Sequence, residues 1–221
     1  MGGVAREGSW RQLVSSGATR PVVGAAAAGE ARAIAELLAA AFCDNPLNLA
    51  VVDSPDPLRR LRACQPGTRD LVDAAFLHDQ LWVARDGASP RGALVGSPPG
   101  AHPLPPPPLA RRLRGLWVQG WRVAGRWAEV FEVLQRHHPE GPHWYLATLG
   151  VEPPRQGRGV GTRLLRSWLE HVDARAGDVY LETDRELNVS WYQREGFGVL
   201  SSIQVLGVPV WCMRRPHRTG A

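Results

Sequence analysis

The run Gln156-Gly157-Arg158-Gly159-Val160-Gly161-Thr162 sets three glycines at alternate positions, after a stretch rich in β formers and before a helical pattern. Without Cβ atoms, such positions let backbone N–H groups converge on one point, where the positive end of a helix also favours negative charge. A pyrophosphate suits that geometry. Close packing of a strand on a helix also calls for such glycines, and the run alone does not choose between the two. Two familiar phosphate motifs are rejected. A P-loop requires Lys followed by Ser or Thr, and the chain contains no Lys at all. A dinucleotide fold places its glycines within repeated βαβ units, with a ribose-binding carboxylate downstream, and neither feature is present.

Other chemistry is sparse. Cys43, Cys64 and Cys212 lie far apart, without a CxxC or a metal-ligand spacing, so they read as small buried hydrophobes. No disulfide framework and no metal are expected. None of the three has a nearby His motif that would argue for an acyl-enzyme route.

The chain has 221 residues, 44% hydrophobic and 21% charged, which suits one globular domain with or without a tail. Its net charge is +5 and every basic residue is Arg, which points to an anionic partner: nucleic acid, anionic lipid or a phosphate-bearing cofactor. The first residues carry Arg6, Glu7 and Arg11 and lack an apolar signal core. The longest uncharged stretches, Gly92 to Ala110 and Gly196 to Met213, are broken by prolines or by glycines and polar residues. Neither reads as a lipid-embedded helix, so a cytoplasmic location without a membrane partner is expected.

The elements that must position the glycine run follow from periodicity. Residues 1–20 have no period and read as a flexible tail, leaving a single domain over 21–216. A short strand at Pro21 to Val23 precedes an Ala-rich helix with Ile34, Leu37, Leu38, Ala41 and Phe42 in register, ended by Asp44-Asn45-Pro46. Helical patterning returns from Pro57 to Leu77, weakened by Gly67. Strands at Leu81 to Arg85 and Arg91 to Val95 lead to a proline-rich connector at 97–108. One long helix is expected over Leu109 to His137, with Leu113, Trp117, Trp121, Ala124, Ala128 and Phe131 on one face. Core packing accounts for most of those tryptophans, while Trp117 or Trp121 could instead wall an acceptor pocket. The strand His143 to Val151 precedes the glycine run, whose helix carries Val160, Leu164, Leu165, Trp168, Leu169 and Val172 in register. A strand at Val179 to Thr183, a short helix from Asn188 to Glu195, and strands Gly198 to Val205 and Val208 to Arg214 complete a mixed α/β order.

Gln156, Gly159 and Gly161 resemble the Gln/Arg-x-x-Gly-x-Gly/Ala cofactor motif of the GNAT superfamily of acetyl-CoA-dependent N-acetyltransferases. Leu181-Glu182-Thr183, Asn188 and Tyr192-Gln193-Arg194-Glu195-Gly196-Phe197 are similar to the string that closes many members. Within the superfamily these residues, with Trp144 to Val151 and Trp211-Cys212-Met213, look most like the puromycin N-acetyltransferases. The likeness covers roughly residues 21–215 and is strong only after His143, so 143–216 is the cofactor-binding half. Asp184 and Leu187 depart from that string, and antibiotic specificity therefore does not carry over.

The resemblance implies an α+β fold: a mixed, mostly antiparallel central sheet flanked by helices, splayed between its fourth and fifth strands, with an extra helix before the fourth. It implies that the pantetheine arm of acetyl-CoA hydrogen-bonds the backbone of Leu149, Gly150 and Val151 as an added strand would. It assigns the pyrophosphate to Gln156, Gly157, Arg158, Gly159, Val160, Gly161 and Thr162, with Arg155, Arg158 and Arg163 near the phosphates. Asn188 is either a helix cap or a cofactor contact. Tyr192 matches the tyrosine that protonates the departing thiolate, and an ordinary pKa of ~10 would keep it protonated; otherwise it is a buried aromatic beside Phe197. Glu182 is the candidate base, directly or through water, or else a structural hydrogen-bonding group. His143 is a weaker candidate that reads better as a cap on the strand's entrance. Phe42, Trp117 and Trp121 are the candidate acceptor contacts. A backbone N–H near Leu149 to Val151 would stabilise the oxyanion, worth roughly 3 kcal/mol in such sites.

Direct transfer to a primary amine in a ternary complex is the activity implied, with a small molecule as acceptor and a monomer or homodimer as the assembly. A protein amine as acceptor, a non-catalytic acyl-CoA sensor and a basic nucleic-acid-binding domain are the alternatives. The last lacks any recognisable module, so no nucleic acid is expected as a partner. Between Arg155 and Leu169 lie four arginines and no acids, which leaves only +1 for the rest of the chain. The excess charge thus centres on one phosphate loop.

Overall fold

The computed structural model describes residues 21–27 and 29–217; the expected tail at 1–20 lies outside the described residues. The strands are β1 (Val22–Ala25), β2 (Leu81–Asp86), β3 (Ser89–Ser97), β4 (Trp144–Val151), β5 (Val179–Thr183), β6 (Gly198–Val205) and β7 (Val208–Arg215). The helices are α1 (Ala31–Phe42), α2 (Pro46–Val52), α3 (Pro57–Leu77), α4 (Leu109–Gln119), α5 (Trp121–His137), α6 (Val160–Asp173) and α7 (Glu186–Arg194). One sheet of order β1-β2-β3-β4-β5-β7-β6 contains all seven strands, antiparallel at every junction except β4 with β5. The mixed, mostly antiparallel sheet that the resemblance implies is therefore the observed one.

Three apolar clusters fix the layers. The stripe Val160, Leu164, Leu165, Trp168 and Val172 of α6 meets Leu146, Leu181 and Met213 on one face of the sheet, and α7 joins it through Tyr192. Trp168 is fully buried because Gly96 of β3 leaves it room: a Cβ there would sit 2.4 Å from the indole. Truncating such a tryptophan to Ala costs about 3–5 kcal/mol. On the other face, Ile34 and Leu38 of α1 and Val72 and Ala75 of α3 cover Val83, Ala93 and Val95. A third cluster joins Val51 and Val52 of α2, Val123 and Val130 of α5, and Val205 and Val210.

Two elements differ from expectation, and α3 keeps its expected bounds of Pro57–Leu77. Asp44-Asn45-Pro46 ends α1 and also opens α2, because proline at the first helical position gives up an N–H that would have no partner anyway. α3 runs unbroken through Pro66 and Gly67, since burying Val72 and Ala75 against α1 outweighs the local propensity penalty. The long helix is two helices. Gly120, at φ 86° and ψ 156°, occupies a region reserved in practice for glycine and breaks the helix between α4 and α5. That break resets the helical phase, so residues spaced by four across it no longer share a face. Trp117 (87% exposed), Trp121 (73%) and Phe131 (63%) consequently lie on the surface, while Val123 and Val130 face the core with Trp127 packed on them. The core packing expected for most of these tryptophans is not observed at Trp117 and Trp121. No single helix among the described residues is long and apolar enough to cross a membrane.

Candidate active site

β4 and β5 run parallel but pair only at Trp144 with Val179 and Tyr145 with Tyr180. Beyond that point they diverge, β4 continuing to Val151 and β5 to Thr183, with no ladder between them. On its other side β4 stays paired with β3 as far as Val151, with a register shift between Val95 and Gly96. The outer edge of β4 from Leu146 onward thus presents backbone groups to a wedge-shaped gap instead of a neighbouring strand. Gly150 fits there because α1 lies directly above it: a Cβ would come within 2.6 Å of Leu38 Cδ2 and 3.0 Å of Phe42 Cε2. Phe42 therefore stands beside the gap.

The glycine run caps the wide end of this gap. Gly157 and Gly159 have φ of 72° and 79°, and nothing lies within 4 Å of a Cβ on either, so their need is conformational and the space over them is open. Gly159 opens α6 without any side-chain cap, so the first-turn N–H groups of α6 have no partner within the helix. Gly161 faces β4, where a Cβ would make ordinary contact with Val151 Cγ2 at 3.4 Å and Leu149 Cδ2 at 3.5 Å. Gln156 Nε2 donates to the Val151 carbonyl at 3.1 Å, tying the loop to the end of β4. The Thr162 hydroxyl accepts from Trp191 Nε1 at 3.0 Å, joining α6 to α7.

The local surplus of arginines is smaller in space than in sequence. Arg166 makes a bidentate pair with Glu195, both contacts 2.8 Å, and Arg155 lies 3.5 Å from Asp86. Arg158 and Arg163 are exposed near the open glycines. An anion at this helix terminus would meet backbone N–H groups and two guanidinium groups.

Tyr192 on α7 is 7% exposed, its ring 5.4 Å from that of Phe197 and 4.6 Å from that of Trp191. Its hydroxyl makes no hydrogen bond to another described residue, and burial pushes its pKa well above the ordinary tyrosine value. Asn188 is not a cap. α7 starts two residues earlier, at Glu186, and Asn188 Nδ2 donates to Thr183 Oγ1 at 3.2 Å. Asp184 accepts from Leu47 N at 2.9 Å and so pins the start of α2, while Leu187 is 87% exposed.

Glu182 lies two residues past the last β4–β5 pair, facing away from α6. Tyr145 donates its hydroxyl to Glu182 Oε2 at 2.8 Å, and His138 Nδ1 stands 3.7 Å from Oε1. Oε1 is buried without a hydrogen-bond partner. His138 in turn stacks on His102, ring centroids 4.6 Å apart, and its Nε2 is 2.9 Å from His143 Nε2. Sequence reasoning missed His102, His138 and Tyr145. The only signal for the second was its placement with His143 on either side of the Pro139-Glu140-Gly141-Pro142 turn. Among the described residues, no group of three or more His, Cys, Asp or Glu could hold a metal ion.

A splayed parallel pair, a glycine-opened helix at its mouth, and a tyrosine and a glutamate beside it all fall within or next to residues 67–197, which match the model of the Acetyltransferase (GNAT) family. The chain belongs to the GNAT family. It is 42% identical over 74 residues to the N-alpha-acetyltransferase RimI of Mycobacterium tuberculosis, a stretch covering 31% of this chain and 46% of that protein. It is 34% identical over 86 residues to mycothiol acetyltransferase of Propionibacterium freudenreichii, covering 38% and 26%. The chain thus matches less than half the length of either relative. A crystal structure of a histone acetyltransferase HPA2 and related acetyltransferase from Corynebacterium glutamicum matches 91% of this GNAT chain and 99% of its own, at 26% identity and a TM-score of 0.62. These matches support the superfamily, and they do not single out the puromycin N-acetyltransferases.

Proposed function

We propose that the chain is an acetyl-CoA-dependent N-acetyltransferase that moves the acetyl group directly to a primary amine of a small molecule. The observation that carries this reading is the gap between β4 and β5, with the anion-ready start of α6 at its mouth. In it, Leu149, Gly150 and Val151 would hydrogen-bond the pantetheine arm as an added strand does, and one of their N–H groups would face the carbonyl oxygen as charge builds there. Gly157 to Thr162, with Arg158 and Arg163, would hold the pyrophosphate. Asn188, tied to Thr183, would border the cofactor from α7, and Phe42 would border the acceptor.

Glu182 takes a proton from the acceptor's ammonium, freeing the lone pair that attacks the thioester carbonyl. Tyr192 gives its proton to the departing sulfur. The raised pKa of Tyr192 suits an acid that must stay protonated at neutral pH. An acyl-enzyme is disfavoured on thiol chemistry: burial raises Cys64 to about 12 and also raises Cys43, so neither is a ready thiolate.

The likeness to N-alpha-acetyltransferase RimI favours a second reading, in which the acceptor is the α-amine of a polypeptide. Acetyl-CoA titration by calorimetry, followed by a thiol-release screen across small amines and peptides with free N-termini, tests both. Binding and turnover with a small amine support the first reading, and turnover confined to peptides supports the second. An absence of acetyl-CoA binding overturns both.

A further inference from the structure

The protons around Glu182 can be placed from geometry. His143 Nδ1 lies 2.9 Å from the Gly141 carbonyl, which only accepts, so that nitrogen carries hydrogen. In the neutral ring Nε2 is then bare, and its 2.9 Å contact requires His138 Nε2 to donate. A neutral His138 is left with a lone pair on Nδ1, which faces the orphaned Glu182 Oε1 at 3.7 Å. Two lone pairs facing each other in a dry site repel, and one proton shared between them removes the conflict. Tyr145, already donating to Oε2, holds the carboxylate in this orientation.

We propose that His138 and His143 form the exit for the proton that Glu182 removes from the acceptor. The inference rests on Glu182 acting as the base. Glu182 Oε1 passes the proton to His138 Nδ1 as His138 Nε2–H passes its own to His143 Nε2. His143 then releases its Nδ1–H to water at the exposed Gly141 turn; once the product has left, water in the site takes the His138 Nδ1–H as a water proton enters at His143 Nδ1, which restores both tautomers. No net charge accumulates, because each ring gains one proton at one nitrogen and loses one from the other. The groups facing this path are Tyr145 from β4, Tyr180 from β5, Cys212 and Arg214 from β7, and His102 from the loop after β3. Burial raises the pKa of both tyrosines, so they do not compete for the proton, and burial holds His102 neutral, down to about 4, with the neighbouring His138 adding to the effect.

His138 and His143 act through Glu182, so the test must separate proton passage from support of the fold. Glutamine at either site keeps hydrogen bonding and cannot carry a proton. In thiol-release assays with acetyl-CoA and, as acceptors, spermidine, phenylethylamine, an aminonucleoside and a hexapeptide with a free N-terminus, His138→Gln and His143→Gln should each lower kcat about 10- to 100-fold. The KM for acetyl-CoA should hold within twofold, and imidazole in the buffer should restore rate to His143→Ala along imidazole's own titration. Side-chain 15N NMR of the intact chain should find His143 protonated on Nδ1 and His138 on Nε2 at neutral pH. If kcat and its pH profile stay within twofold of wild type in both glutamine variants, or if the tautomers are reversed, the relay is wrong while the enzyme reading stands. If the wild type acetylates none of the four acceptors, the enzyme reading falls and takes the relay with it.

Discussion

Glu182 and Tyr192 stand on opposite faces of the sheet, on either side of the gap between β4 and β5. Leu181 packs with Tyr192 in the α6 cluster, and the next residue, turned to the other face by the strand's period of two, is Glu182 beside Tyr145 and His138. An acyl group drawn into the gap would meet an acid from one face and a base from the other. In the proposed mechanism this separation would keep the two proton transfers from short-circuiting each other.

Removing only the acid's proton isolates its role. Because the Tyr192 hydroxyl bonds to no described residue, Tyr192→Phe should leave the melting temperature within about 2 °C of wild type, yet lower kcat by about 100-fold or more. Acetyl-CoA affinity by calorimetry should be unchanged. Undiminished turnover would remove Tyr192 from the mechanism.

For the base, Glu182→Gln should lower kcat by about 100-fold. Tyr145→Phe should lower it by about 10-fold, since the carboxylate keeps its charge and loses only the hydroxyl that orients it. Steady-state rates at several pH values distinguish these from a general loss of fold.

Gly159→Ala places a Cβ on a residue with φ of 79°, which costs about 1–2 kcal/mol, and it crowds the open space over the α6 terminus. Acetyl-CoA affinity should fall at least 10-fold by calorimetry. The exposed Trp117→Ala and Trp121→Ala should instead change stability by about 0.5 kcal/mol or less and leave KM for the acceptor as it is.

Acid should destabilise the histidine cluster in a defined window. His102 has a folded pKa of about 4 against an ordinary 6.5, so as pH falls below about 6.5 the unfolded chain takes up the proton first. Stability is complete above that pH and is lost down to about 4, by about 1–2 kcal/mol after allowing for partial exposure. Across the window the urea midpoint of wild type should fall further than that of His102→Phe, which lacks the titrating ring; equal falls would take the effect away from His102.

The fold from His143 onward was legible in the sequence because its signals are local. The strand before Gly157, the α6 stripe through Trp168 and the Tyr192 string each declare themselves within a few residues. The part before His143 was less legible. A single left-handed residue, Gly120, shifted the phase of a whole helix and moved Trp117 and Trp121 to the surface, which periodicity across the break could not register. Nor could it bring together His102, His138 and Glu182, which come from a loop, a helix end and a strand that meet only through the sheet order. Asn188 was misplaced by one helical half-turn, a boundary error of the usual kind.

In the proposed reaction an acetyl group passes to nitrogen through this gap. Mass spectrometry of the acceptor after incubation with acetyl-CoA and the intact chain tests it most directly. The account predicts an N-acetylated primary amine formed in step with released coenzyme A thiol, both abolished together in the Tyr192→Phe, Glu182→Gln double variant. Thiol release without any acetylated amine, or acetylation that survives in that variant, would contradict it.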